Sequence, residues 1–128
     1  DRVIPQFIKL ARQNRNLIVY GMQKFLDFTY IDDSISGLFK CINNFDRIKN
    51  DVFNIASGKG VRIIEIAELI KSHIGSNSRI LIKENRAGEI EHYVANISKA
   101  KKILGYKPKT KITEGIRKTV DWYGKSMR

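Results

Sequence analysis

Two hydrophobic periods alternate along this chain, and together they limit what it can fold into. Val3, Ile4, Phe7, Ile8 and Ala11 recur at spacings of three and four, as do Ile35, Leu38, Phe39 and Ile42, and then Ile63, Ile66, Ala67, Ile70 and Ile74. Each set makes one apolar stripe on a helix. Between them lie short β-favouring runs: Leu17 to Tyr20, Phe25 to Ile31, Val52 to Ile55, and Arg79 to Lys83. Ser98 to Leu104 reads as a short helix closed by Gly105, and Ile112, Ile116, Val120 and Tyr123 mark a last one. Asp32 or Asp33 is placed to cap the second helix, and Gly75 to stop the third. The order is helix, two strands, helix, strand, helix, strand, two helices. This is a mixed α/β pattern without the regular strand–helix alternation of a complete doubly wound domain. With 128 residues the chain is one domain, 1–128, able to bury a core without staples.

Composition narrows the chemistry. A single cysteine, Cys41, excludes an intrachain disulfide framework and a cysteine-cluster metal site, and fits a reducing, cytoplasmic setting. The two histidines, His73 and His92, are far apart, so no metal site is expected. No apolar run approaches the ~18 residues a membrane helix needs. The net charge of +11 suits a polyanion or a phosphorylated ligand, so a basic nucleic-acid-binding module is one reading. The chain opens on Asp1 rather than Met, with no basic-then-apolar leader, and reads as cut from something longer.

Several motif matches fail on physical grounds. Gly58-Lys59-Gly60 lacks the second glycine followed by Lys-Ser/Thr of a P-loop, and Gly58 to Ile63 lacks the third glycine of a dinucleotide fingerprint. Tyr20-x-x-x-Lys24 matches a catalytic Tyr-x-x-x-Lys pair, but that pair needs a helix, and Gly21 follows a β-rich run. Asp27, Asp32 and Asp33 form no ligand-spaced cluster. Cys41, beside its helix stripe, reads as a packed thiol, and His73 as a surface residue.

A series of weaker motifs carries more when taken in order. It comprises Val3 to Ile8, Leu17 to Gly21, Asp27-Phe28-Thr29-Tyr30-Ile31-Asp32-Asp33, Phe53 to Gly58, Arg86-Ala87-Gly88-Glu89, Ala95 to Ala100, Leu104 to Pro108, and Glu114 to Tyr123. From end to end the chain resembles the C-terminal region of extended short-chain dehydrogenase/reductases, the NAD-dependent epimerases and dehydratases of nucleotide sugars. The resemblance implies a small, mixed α/β substrate-binding domain lacking the N-terminal Rossmann domain.

That resemblance also implies the site. Ile18 and Tyr20 would meet the base through backbone groups. Arg86 would fork onto the diphosphate, as a guanidinium can and an ammonium cannot. Glu89 would accept from a ribose hydroxyl, while Arg2 and Val3 would offer a helix start to phosphate. Gly88 would let the loop pass close to the ligand. Catalytic and cofactor-binding residues would lie outside the chain: NAD and the Tyr/Lys pair belong to the Rossmann domain. The implied activity is a UDP-glucose/UDP-galactose type 4-epimerase, with 4,6-dehydratase or decarboxylase as alternatives. The partners would be a UDP-sugar, the chain's own Rossmann domain and, at full length, a second copy, with no membrane and no nucleic acid. Alone, the chain would be inactive and hold no NAD. One position departs from the pattern. Leu26 stands where the family carries a phosphate-binding arginine, so either Lys24 or Arg2 compensates or the diphosphate meets fewer cations.

Overall fold

A computed structural model describes residues 2–85 and 87–126. Helix α1 (Val3–Arg12) takes Pro5 into its first turn and buries Phe7, Ile8 and Ala11. These pack on α4 (Ile63–Ile74), whose Ile63, Ile66, Ala67 and Ile70 face back. The last helix, α6 (Ile112–Ser126), closes the layer with Ile116 and Val120. Strand β1 (Leu17–Tyr20) alternates in burial: Leu17 and Val19 enter this core, Ile18 and Tyr20 do not. It pairs in parallel with β4 (Ile80–Lys83), with Leu17 opposite Ile80. A second small sheet has β2 (Phe25–Asp27) at its centre. The strand β3 (Gly60–Arg62) runs antiparallel on one side of it and β5 (His92–Tyr93) parallel on the other. The expected mixed α/β class is the observed one. No described helix is long and apolar enough to cross a membrane.

A separate apolar cluster forms around Ile48, Ile97, Ala100, Leu104 and Tyr106, at α3 (Phe45–Ile48) and α5 (Ser98–Leu104). Cys41 packs against it as a partly buried free thiol. Tyr106 is fully buried, and its hydroxyl donates to the Ala56 carbonyl at 3.0 Å. His73 lies at the surface, where its Nε2 meets Asp121 Oδ1 at 3.0 Å and holds that carboxyl below its usual range.

The structure differs from the expectations in instructive places. The run from Phe25 is a strand only to Asp27, because the helix α2 (Ile31–Asn43) begins four residues later. Neither Asp32 nor Asp33 caps it: the N-cap is Tyr30, without a side-chain cap bond. Asp33 instead is buried and accepts from the backbone N–H groups of Lys109 (2.8 Å) and Thr110 (3.0 Å). Val52 to Ile55 has the composition of a strand but is not one, since no described strand pairs with it. The stripe of α2 is not a core face either. Ile35, Leu38, Phe39 and Ile42 are 44–60% exposed. Helix α3 and strand β5 are too short to leave a periodic signal.

Asp27 holds the second sheet to its surroundings. Its Oδ1 accepts from the Ser57 N–H at 3.1 Å and from the Ser57 hydroxyl. Its Oδ2 accepts from the N–H groups of Gly58 (2.9 Å) and Ala95 (3.3 Å). An asparagine can accept at one oxygen only and turns its amide donor toward the other N–H groups. Asp27→Asn is therefore expected to lower stability by about 2–4 kcal/mol, read as a lower urea midpoint at unchanged slope. An unchanged midpoint contradicts this role.

Burial, and after it the negative charges of Asp33 and Asp27, holds the Tyr106 phenol above its usual range. The folded state thus favours the neutral phenol. That contribution is complete below about pH 10 and is lost as pH climbs through the raised folded-state value. Tyr106→Phe should cost ~1 kcal/mol at neutral pH through the unpartnered Ala56 carbonyl. It should also flatten the alkaline loss of stability, measured by denaturation from pH 8 to 11. A steeper alkaline loss in the variant contradicts the assignment.

Candidate functional site

A cleft of ≈ 280 Å³ opens between α1, β1 and the segments flanking β2 and β4. One wall is the α1 face of Val3, Gln6, Phe7 and Leu10, residues that share a side because they stand three and four apart. The opposite wall is β1, through Ile18 and Tyr20. Ile63, Lys24 and Glu89 complete the lining. Two helices therefore meet the cleft with their first residues, Val3 and Ile63, and neither has a side-chain cap bond. Helix starts carry N–H groups without intrahelical partners and partial positive charge, which favours an anion, but the Ile63 N–H of α4 is already taken by the Lys24 carbonyl.

The backbone of β1 is arranged for contact as well. Leu17 N–H donates to Arg79 O at 2.8 Å, and Gly21 N–H to Lys83 O at 2.9 Å, so the odd-numbered residues face β4. In a strand the N–H and C=O of successive residues point to opposite edges. Those of Ile18 and Tyr20 are accordingly directed away from β4. Gly21 ends the strand at φ +77°, and an added Cβ would lie 1.6 Å from Asn85 Oδ1. Only glycine turns the chain here while Asn85 stays in place.

The turn of Gly21 leads to Lys24, whose N–H donates to Gly21 O at 3.2 Å and whose carbonyl accepts from Ile63 N–H at 3.1 Å. Its side chain is 8% exposed, and the ammonium forms an ion pair with the Glu89 carboxylate. Glu89 is 36% exposed and sits on the loop between β4 and β5. Lys24 stands just ahead of β2 and lines the cleft, whereas Leu26, two residues on, packs against the core.

Of the residues singled out from sequence, Val3, Ile18, Tyr20 and Glu89 line this one cleft. Arg2 does not: it is the exposed N-cap of α1. Arg86 lies outside the described residues. Gly88 has φ +81°, and a Cβ there would meet nothing within 4 Å, so this glycine is required by the turn and not by crowding. Sequence reasoning missed Gln6, Phe7, Leu10 and Ile63 as lining residues. The α1 periodicity marked the core face alone and gave no sign of the cleft face beside it. Lys24 was named from sequence as one of two cations that could compensate for Leu26, and it is the one that lines the cleft.

The turn at Gly58 does not suit a dinucleotide. The N–H groups of Ser57 and Gly58, which would receive a pyrophosphate, are already engaged by the Asp27 carboxylate. Tyr20 and Lys24 share the cleft from a strand and a turn, not from one helix face, so they do not form the helical Tyr/Lys arrangement.

The family profile for GDP-mannose 4,6 dehydratase matches residues 1–119. The chain is 32% identical over 127 residues to UDP-glucuronic acid decarboxylase 1 of Danio rerio, covering 98% of this chain and 30% of that protein. It is 31% identical over 124 residues to a UDP-glucuronate 4-epimerase of Thermodesulfobacterium geofontis, covering 95% of this chain and 38% of the other. The Bordetella bronchiseptica enzyme WbmF, solved with NAD+, superposes with a TM-score of 0.83 at 29% identity, over 98% of this chain and 37% of that one. The chain thus spans about a third of the length of such relatives and corresponds to their C-terminal part. Profile, motif order and fold concur, and the chain belongs to the GDP-mannose 4,6 dehydratase family, the nucleotide-sugar epimerases and dehydratases among the extended short-chain dehydrogenase/reductases.

Proposed function

We propose that residues 1–128 are the C-terminal substrate-gripping lobe of an NAD-dependent UDP-sugar 4-epimerase of the UDP-glucose/UDP-galactose type. The observation that carries this reading is the single cleft shared by Val3, Ile18, Tyr20 and Glu89. The outward N–H and C=O of Ile18 and Tyr20 match the adjacent acceptor and donor on a uracil edge. The diphosphate lies toward the start of α1, and Arg2 and Arg86 are the cations that the family pattern assigns to it. The lobe holds and orients, which is the proximity contribution to catalysis. NAD, held by a Rossmann lobe with the Tyr/Lys pair, supplies hydride transfer at the sugar.

Two surface features support a second lobe. The stripe of α2, continued by Ile31 and Phe45, leaves six large apolar side chains 44–62% exposed. Next to it, Phe53 and Ile55 pack against the same cluster as Cys41 of α2, while their backbone lacks a strand partner. An apolar helix face beside an unpaired β-type segment is what a parallel sheet edge with its covering helix would complete. A second copy, when the protein is at full length, and a cytoplasmic setting complete the reading. A decarboxylase of UDP-glucuronate is the second reading, favoured by the likeness to the Danio rerio protein.

The test is calorimetric titration of the chain with UDP-glucose, UDP-glucuronate, CDP-glucose and NAD. UDP-glucose should bind at least tenfold more tightly than CDP-glucose, whose amino group presents a donor where the uracil carbonyl accepts. NAD should give no binding at micromolar concentrations. Equal affinity for UDP- and CDP-glucose, or micromolar NAD binding, refutes the reading. A preference for UDP-glucuronate over UDP-glucose overturns the UDP-glucose assignment and favours a UDP-glucuronate enzyme, the decarboxylase among them.

A further inference from the structure

The lysines between Lys99 and Lys111 take no part in the cleft. Two of them, Lys109 and Lys111 on the segment leading into α6, line a second trough of ≈ 410 Å³ with Lys59 of the turn before β3. Trough and cleft share no lining residue. The floor of the trough is apolar: Phe28, Val61 and Ile112 are partly buried and pack against the main core. At Phe28 and Ile112 it runs on into a hollow of ≈ 50 Å³ against Ile4 and Ile116. The three lysines are exposed, and none of them forms an ion pair among the described residues. The carboxylates bonded to these segments are committed elsewhere. Asp33 accepts from the N–H groups of Lys109 and Thr110, Asp27 from those of Ser57 and Gly58, and Glu114 pairs with Lys118 at 2.9 Å. None of the three lines the trough.

We infer that this trough is a docking surface for an acidic peptide segment of a partner protein, with one aliphatic side chain in the hollow and carboxylates on Lys59, Lys109 and Lys111. Unpaired cations beside an apolar floor are complementary to an anion that carries an apolar part. The kind of cation selects the kind of anion. An ammonium is a point charge on a flexible stem and suits separate carboxylates, whereas a compact phosphate is held best by the planar fork of arginine, which this trough lacks. The small hollow suits a single side chain as anchor. A second copy of the chain is disfavoured, because a net charge of +11 on each sets lysines against lysines. The rim is also held in place before any partner arrives. Asp33 fixes the backbone of Lys109, and the Ser57 hydroxyl accepts from the Lys59 N–H at 3.1 Å and donates to its carbonyl at 3.0 Å. Only the ammonium stems then lose freedom on binding. The inference does not rest on the nucleotide-sugar reading.

The experiment is fluorescence anisotropy of the 128-residue chain with a labelled peptide of glutamates and glycines around one leucine. Replacing the leucine by alanine should weaken binding severalfold, and replacing the glutamates by glutamine should abolish it. Lys59→Gln, Lys109→Gln and Lys111→Gln combined should weaken it about tenfold, since each exposed charge contact alone is worth a few-fold at most. The control combines Lys9→Gln, Lys49→Gln and Lys102→Gln, which lower the net charge equally from outside the trough. At physiological salt it should bind within about twofold of the wild type. All six side chains are exposed, so thermal melts should coincide. A wild-type chain that does not bind the peptide, equal losses in the two combined variants, or indifference to the leucine overturns the inference. Displacement of the peptide by UDP-glucose puts it in the cleft and overturns it too. So does tighter binding of a single-stranded oligonucleotide through the same lysines, which assigns the trough to nucleic acid. Failure of UDP-glucose to bind removes the sugar-nucleotide reading and leaves peptide binding at the trough intact.

Discussion

The Asp27 carboxylate is the constraint on which the site depends. It is the last residue of β2, and its two oxygens gather donors from the turn at Ser57–Gly58 and from Ala95. Those contacts draw segments about 30 and 68 residues away onto a three-residue strand. A strand this short has few ladder bonds of its own, so a charged acceptor at its end sets where it lies. Lys24 enters the cleft from the other end of that strand, one residue before Phe25. Asp33 does the same service for α2, fastening it to Lys109 and Thr110. Both carboxylates are structural, each satisfied by backbone N–H groups, and neither faces the cleft.

The cleft lies where one core ends. The α1 face that buries Phe7, Ile8 and Ala11 is broader than α4 can cover, and its remaining edge, with Val3, Gln6 and Leu10, becomes a wall. The opposite wall is a strand with one edge occupied by β4 and the other turned away from it. The result is a slot with apolar sides, outward peptide groups and one buried cation. That combination suits a ligand with a flat polar ring and a compact charged group. The +11 charge acquires a context in a family that acts on nucleotide sugars, and the nucleic-acid reading gains no support from the relatives.

Much of this was legible before any coordinates, and the failures share a cause. The helices α1, α4, α5 and α6 and the strands β1 and β4 declared themselves because a period of 3.6 or 2 directly encodes a buried face. The α2 stripe has the same period and is exposed. Periodicity reports that a face is meant to be covered, not which body covers it. The Val52 to Ile55 run failed likewise, since β composition cannot supply a neighbour to bond with. Asp33 was mistaken for a cap because its partners lie 76 and 77 residues away, beyond any local rule.

The amino-acid order by itself determined the class of fold and the family, because local periodicity and motif sequence are carried by neighbouring residues. It named Val3, Ile18, Tyr20 and Glu89, and flagged Leu26 as a gap. Only the tertiary structure decided that these four share a cleft while Arg2 does not. Only there does the Lys24 ammonium meet the Glu89 carboxylate inside that cleft. An ion pair across 65 residues has no local signature. It exists because packing brings the loop between β4 and β5 against the turn that carries Lys24.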